Sequence, residues 1–205
     1  TFATPHGGGG PGAGPVGCKK ELEPFLPKPV VVKDGDQYAL SYDRPLSIGK
    51  VKSFYGNFGV CIKAYAYILS LGAKGLRDAS EAAVLNANYI MHKLKDTYRI
   101  AANRPCMHEF VLSTENIPGV TATDIAKGLI DHGIHPPTIY FPLIVHEAMM
   151  VEPTESEPPE VLDNFCDVMI KLANTPSDVL HTYPVTTPVG RPDQTLAARK
   201  PKVTE

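Results

Sequence analysis

Glu109-Phe110-Val111-Leu112-Ser113, Thr121-Ala122-Thr123-Asp124-Ile125-Ala126-Lys127-Gly128-Leu129-Ile130 and Ala148-Met149-Met150-Val151 follow one another through the middle of the chain. The first run is short, apolar and rich in β-prone side chains, so it reads as a strand. In the second, Ile125, Ala126, Leu129 and Ile130 fall on one helical face. Thr121 or Thr123 caps its start and Gly133 stops it. The third run is again a strand. Strand, helix and strand in this order place the chain in the α/β class.

Working outward, residues 139–145 also read as a strand. Pro158 or Pro159 starts a helix with Val161, Leu162, Phe165, Val168, Met169 and Leu172 inward. Upstream, residues 74–98 read as a long amphipathic helix with Leu76, Ala79, Ala83, Ala87, Ile90, Met91 and Leu94 on its stripe. Residues 58–71 are apolar nearly all round, which predicts a helix buried on most sides. Gly72 ends it. Val30-Val31-Val32-Lys33 and Gln37-Tyr38-Ala39-Leu40-Ser41-Tyr42 flank Asp34-Gly35-Asp36, the signature of a hairpin. Hairpin, two helices, strand, helix, two strands and helix make a small mixed or antiparallel sheet covered by helices on one side. Residues 175–205 carry repeated prolines and no apolar period, so they read as an extended tail.

Composition narrows the function. The 205 residues carry a net charge of −2, with the basic residues scattered, so the footprint of a nucleic-acid binder is absent. The apolar stretch around residues 60–71 is broken by Lys63 and too short to span a bilayer. Cys18, Cys61, Cys106 and Cys166 stand in unrelated contexts, the pattern of reduced cytoplasmic thiols. The chain opens inside a motif without an initiator methionine, and reads as a piece of something longer.

That motif is Pro5-His6-Gly7-Gly8-Gly9-Gly10-Pro11-Gly12-Ala13-Gly14-Pro15-Val16-Gly17. Such a run holds neither helix nor strand. A flexible linker would carry serine. This run has none, which favours a loop whose bare backbone approaches a ligand. Gly7, Gly9 and Gly12 fit a dinucleotide fingerprint by spacing, but no strand precedes them and prolines block the helix start. Asn57, in Ser53-Phe54-Tyr55-Gly56-Asn57-Phe58-Gly59, is either the cap of the following helix or part of a site-lining turn. Cys106, His108 and Glu109 are three ligand types without the spacing of a zinc knuckle. His108 reads first as a satisfied histidine at a strand entrance and second as an active-site residue. His132, His135 and His146 read as structural. Glu152-Pro153-Thr154-Glu155-Ser156-Glu157 reads as carboxylates favouring the next helix start.

Thr1-Phe2-Ala3-Thr4-Pro5-His6 with the glycine run resembles the glycine decarboxylase (P-protein) family of the glycine cleavage system. Arg104-Pro105-Cys106-Met107-His108-Glu109-Phe110, His135-Pro136-Pro137-Thr138-Ile139-Tyr140-Phe141-Pro142, residues 152–157 and Ala197-Ala198-Arg199-Lys200-Pro201 resemble it too. The forms are most similar to subunit 2 of the bacterial two-subunit type. The resemblance implies the C-terminal small domain of a fold-type-I pyridoxal-phosphate enzyme, of the aspartate aminotransferase superfamily. Residues 1–57 would hold the active-site loop, hairpin and connection, 58–175 the small domain and 176–205 the tail. The implied cofactor is pyridoxal 5'-phosphate, an electron sink during glycine decarboxylation. The implied partners are glycine, the lipoylated H-protein that takes the aminomethyl group, and the other P-protein subunit in a hetero-oligomer. No nucleic acid or membrane is expected. Thr1, Thr4, His6, Gly7, Gly8, Gly9, Gly10, Asn57, His108 and Tyr140 are the expected lining residues. The Schiff-base lysine is expected immediately before Thr1, so this polypeptide alone is expected to be inactive. The competing reading is a non-catalytic structural or subunit-interaction domain.

Overall fold

The computed structural model describes residues 2–4 and 12–204, arranged as two compact units, Thr1–Leu76 and Arg77–Glu205. The first unit holds a 3₁₀ turn, Lys20–Phe25, and the hairpin of β1 (Val30–Asp34) and β2 (Gln37–Ser41). The hairpin pairs Val30 with Ser41 and Asp34 with Gln37 around a Gly35-Asp36 turn. Gly35 takes φ 61°, a left-handed value that costs an L side chain but not glycine.

Helix α1 runs over Phe58–Leu94 but is interrupted at Gly72, whose φ of 61° and ψ of −174° are non-helical. The C-cap expected at Gly72 is therefore a break between two helical stretches. The burial expected for residues 58–71 is not found. Phe58, Ile62, Tyr65 and Leu69 are each at least half exposed. An all-round apolar helix creates a demand for burial, and no described residue meets it on those sides.

The second unit carries the core. Its sheet has the order β3-β4-β6-β5 and is antiparallel throughout, with β3 at Arg99–Ile100, β4 at Phe110–Ser113, β5 at Thr138–Ile139 and β6 at Ala148–Val151. Phe110 pairs with Val151 and Ser113 with Ala148. Residues 140–145 do not continue β5 as expected. Tyr140 turns to φ 58°, and Pro142 offers no amide to a ladder. β3 has only two residues and leaves no periodic trace in the sequence.

Helix α2 (Ala122–Asp131) is capped by Thr121 and not Thr123. The Thr121 side chain accepts from the Asp124 amide while Asp124 answers the Thr121 amide. This reciprocal pair satisfies two otherwise orphaned donors. Helix α3 (Pro159–Ala173) starts on Pro159 and buries Leu162, Cys166, Val168, Met169 and Leu172. Val161, expected inward, is exposed, and Cys166 occupies the inner face instead. The core joins Ala87, Ile90 and Leu94 of α1 to Leu112, Ile125, Leu129, Met149, Met169 and Leu172.

The stretch read as an extended tail is partly folded. It contains α4 (Ser177–Leu180) and α5 (Gln194–Arg199), and Leu180 is fully buried. Two polar anchors tie it to α2. Asp131 accepts from the Val185 amide at 2.7 Å and from the Thr186 amide and hydroxyl at 2.9 and 2.6 Å. Arg191 donates to the carbonyls of Tyr183 and Leu180 and pairs with Asp124. Among the described residues, no helix is long and apolar enough to cross a membrane, and all four cysteines are free.

Candidate functional site

Of the residues expected to line a site, Thr1, His6, Gly7, Gly8, Gly9 and Gly10 lie outside the described residues. Thr4 and Asn57 lie in the first unit, and His108 and Tyr140 in the second.

Asn57 resolves its two readings in part. Its carbonyl accepts from the Cys61 amide and so opens α1, but its side chain is not the cap. The side-chain amide donates instead to the Gly12 carbonyl at 2.6 Å, across 45 residues. It thereby fixes the described end of the glycine-proline run to the Ser53–Gly59 turn. In that turn Phe54 and Tyr55 pack edge to face at 4.6 Å. The Lys52 ammonium donates to the Phe54 carbonyl at 2.8 Å and sits 5.0 Å from the Tyr55 ring centre. Phe54, Asn57, Phe58 and Lys63 line an open cleft of about 590 Å³.

In the second unit, His108 Nε2 lies 3.9 Å from Glu152 Oε1 just beyond the end of β6. Tyr140 sits at its other end, where its amide donates to the Ala148 carbonyl at 2.8 Å. Its hydroxyl shares a hydrogen bond of 2.8 Å with Thr123. At about 3.4 Å per strand residue, His108 and Tyr140 are separated by the length of the strand and do not share one first layer around a ligand. The loop between Tyr140 and Glu147 is pinned at both ends to the first turn of α2. Glu147 accepts from the Ala122 amide at 2.6 Å, and both residues have positive φ.

Several polar contacts were not foreseen. Asn88 grips the backbone of Cys106 from both sides, donating to its carbonyl at 2.8 Å and accepting from its amide at 3.0 Å. Burial raises the Cys106 thiol pKa, which disfavours the nucleophilic thiolate. Asn86 donates to the carbonyls of Thr154 and Glu157, fixing the acidic turn. α3 has no side-chain cap hydrogen bond at its N-cap, so what the carboxylates ahead of it can offer is negative charge near its N-terminus. The available signal was two asparagines inside a long amphipathic helix, where side-chain amides compete with helical bonding unless tertiary carbonyls need them. Asp124 is buried and lies 2.7 Å from Arg191 Nη1 and 3.5 Å from His181 Nε2. The arginine contact is close but poorly aligned for a hydrogen bond to Oδ1, so it acts mainly as charge against charge. Burial pushes the Asp124 pKa up. The Thr121 amide and hydroxyl and the Arg191 guanidinium outweigh it and hold the carboxyl below its ordinary value. Among the described residues, no group of three ligand side chains could hold a metal.

A family model described as "Glycine dehydrogenase, C-terminal domain" matches residues 79–185. The probable glycine dehydrogenase (decarboxylating) subunit 2 of Treponema denticola is 61% identical over 98% of this chain and 43% of its own length. The protein of that name from Caldanaerobacter subterraneus subsp. tengcongensis is 59% identical over 99% of this chain and 43% of its own. The chain thus spans about 43% of the length of these curated relatives. Among solved structures, glycine decarboxylase (P-protein) of the glycine cleavage system, in inhibitor-bound form, matches 83% of this chain and 41% of its own with a TM-score of 0.68 at 20% identity. The cysteine desulfurase of Thermococcus onnurineus NA1 matches 76% of this chain and 41% of its own with a TM-score of 0.53 at 19% identity. Identities this low establish a shared fold, the α/β architecture expected from the element order. By the family match over residues 79–185, the chain belongs to the glycine dehydrogenase C-terminal domain family.

Proposed function

We propose that this chain works as the C-terminal part of a cytoplasmic, pyridoxal-phosphate-dependent glycine dehydrogenase (decarboxylating), subunit 2 of a two-subunit enzyme. Glycine is its substrate, and the lipoylated H-protein receives the aminomethyl group. The observation that carries this reading is identity of 56 to 61% to relatives of that name over nearly all of this chain. A single domain borrowed into another enzyme would not hold that level through loops and tail alike.

Pyridoxal phosphate requires a lysine amine for its aldehyde and donors for a dianionic phosphate. The described residues do not make such a set. Lys52 is spent on the Phe54 carbonyl and the Tyr55 ring, and Lys63 flanks an open cleft among apolar side chains. His108 faces the Glu152 carboxylate, which opposes an anion. This chain's own contribution is positional. Asn57 holds the exit of the glycine-proline run at Gly12, and successive glycine amides are suited to donate to an anionic group. Asn88 and Asn86 hold the segments that carry His108 and Glu152.

The test is exchange of labelled bicarbonate into the carboxyl group of glycine by the full-length protein with its partner subunit, cofactor and H-protein. The reading requires exchange that depends on H-protein. Properly folded, cofactor-loaded protein that catalyses none would overturn it. The exposed apolar helix of residues 58–71 supports a second reading, a subunit-contact role, which the same complex tests. Replacing Ile62 and Tyr65 by Asp is then expected to abolish co-purification with the partner.

A further inference from the structure

A cleft of about 330 Å³ lies between the last two turns of α1 and the loop that follows β3. One wall is a helical stripe. Asn88, His92 and Lys95 stand at i, i+4 and i+7, with Met91 between them, so their side chains share one face. The other wall is Ile100, Asn103, Arg104 and Pro105. The Asn88 grip on the Cys106 backbone holds the two walls together, at 2.8 and 3.0 Å.

The charges on these walls are uncompensated. Lys93, on a different face of α1, is paired with Asp163 at 2.6 Å. Lys95, Arg104 and His92 make no ion pair and no side-chain hydrogen bond with another described residue. Among the described residues, no acidic side chain lines the cleft. Asp96 follows Lys95 in sequence, and the carbonyl end of α1 is adjacent. That end is itself occupied, because the Leu94 carbonyl accepts from the Thr97 and Tyr98 amides. Lys95 and Arg104 both line this small space, and a guanidinium fork with an ammonium suits an oxyanion. Met91, Ile100 and Pro105 add apolar surface beside it. The cleft is too small for a protein element and larger than a bare anion needs.

We propose that this cleft binds a small organic phosphate, with Arg104 and Lys95 holding the phosphate oxygens and Met91 and Ile100 covering its apolar body. Asn88 is a positioning residue that sets the distance between the two basic groups. The cleft is lined by none of the residues expected around glycine, and the proposal does not depend on the proposed function.

Titration calorimetry with phenyl phosphate on the full-length protein, saturated with pyridoxal phosphate, tests this assignment. Binding is expected, and it should weaken as salt rises. Arg104→Gln and Lys95→Gln should each raise the dissociation constant by about tenfold, the loss of one charge-assisted hydrogen bond. Lys95→Arg should retain binding. Both side chains are exposed, so folding should survive, and unchanged circular dichroism confirms it. Equal binding of phenol would reduce the site to an apolar cleft and overturn the proposal. Equal affinity for inorganic phosphate would overturn the organic part of the assignment. Binding seen only before cofactor is added would place the probe in the cofactor site and overturn it too. Glycine exchange is a separate readout, so failure here and failure of the functional reading are distinguishable.

Discussion

Gly128 marks where α2 and α3 approach most closely. A Cβ built there would stand 2.5 Å from Leu172 Cδ2 and 3.0 Å from Cδ1, and Leu172 is fully buried. Alanine would gain up to about 1 kcal/mol of helix propensity. Overpacking of a closed core costs about 1–3 kcal/mol. The clash is expected to win because Leu172 is fully buried, so moving its methyl groups disturbs its packed neighbours. Gly128→Ala is expected to destabilise the second unit by about 1 kcal/mol, seen as faster hydrogen exchange in α2 and α3; slower exchange would show that the helices part freely. His132 shows how geometry can fix a proton. Lys171 can only donate, so Nε2 of His132 accepts at 3.0 Å, and Nδ1 must then carry the hydrogen shared with the Gly128 carbonyl at 2.8 Å. The sequence marked His132 as structural, and this bonding is of that kind. It did not mark Asp124, which looks like one of many acidic residues until Arg191 arrives from 67 positions away to pair with it. No local pattern encodes such a pair.

At the scale of elements, α2 is held by its own sequence and by its neighbours. The Thr121–Asp124 capping box is local and legible, although the choice between Thr121 and Thr123 needed the structure. Thr123 turned outward to Tyr140 instead. The segment from Leu180 to Arg191 is held at two points along α2, by Asp131 and by Asp124. Removing Asp131 frees three donors at once. They are exposed to water, so the global loss should be small, about 1 kcal/mol or less. Asp131→Ala is therefore expected to raise protease cleavage and amide exchange at residues 181–191 with little change in melting temperature. Unchanged local exchange would show that Arg191 suffices alone. The strand reading of residues 139–145 failed for a physical reason. β-prone side chains state a preference, but Tyr140 at positive φ and Pro142 without a donor end the ladder after Ile139.

For the whole molecule, acid is the relevant stress. Asp124, Asp131 and Asp163 are all held below their ordinary pKa. Burial pushes Asp124 and Asp131 up, but hydrogen bonds from Thr121 and from Thr186 prevail. For Asp163 the bonds from Lys93 and Tyr89 lead. A carboxyl with a lowered folded pKa adds stability that is fully present above its unfolded value and is lost as pH falls through the folded one. Stability should therefore hold near neutrality and decline as pH drops below about 4, the ordinary aspartate range. Asp124→Asn should flatten the acid limb of the melting-temperature profile, and an unchanged limb would remove Asp124 from the account.

The sequence by itself determined the α/β class, the hairpin at Gly35, the strands around Leu112 and Met149, a helix starting at Pro158 or Pro159 and the end of a helical stretch at Gly72. Each of these rests on a period, a cap or a backbone preference that nearby residues carry in full. It also carried the family resemblance, because motifs are strings of neighbours. The tertiary structure decided the rest. It set where the Asn57 and Asn88 amides are used, that His108 and Tyr140 stand at opposite ends of β6, and that the tail folds onto α2. It also brought Lys95 and Arg104 to one cleft and left the apolar helix of residues 58–71 exposed. These are contacts between residues distant in the chain. Their energy depends on distance and burial, and neither exists until the chain has folded.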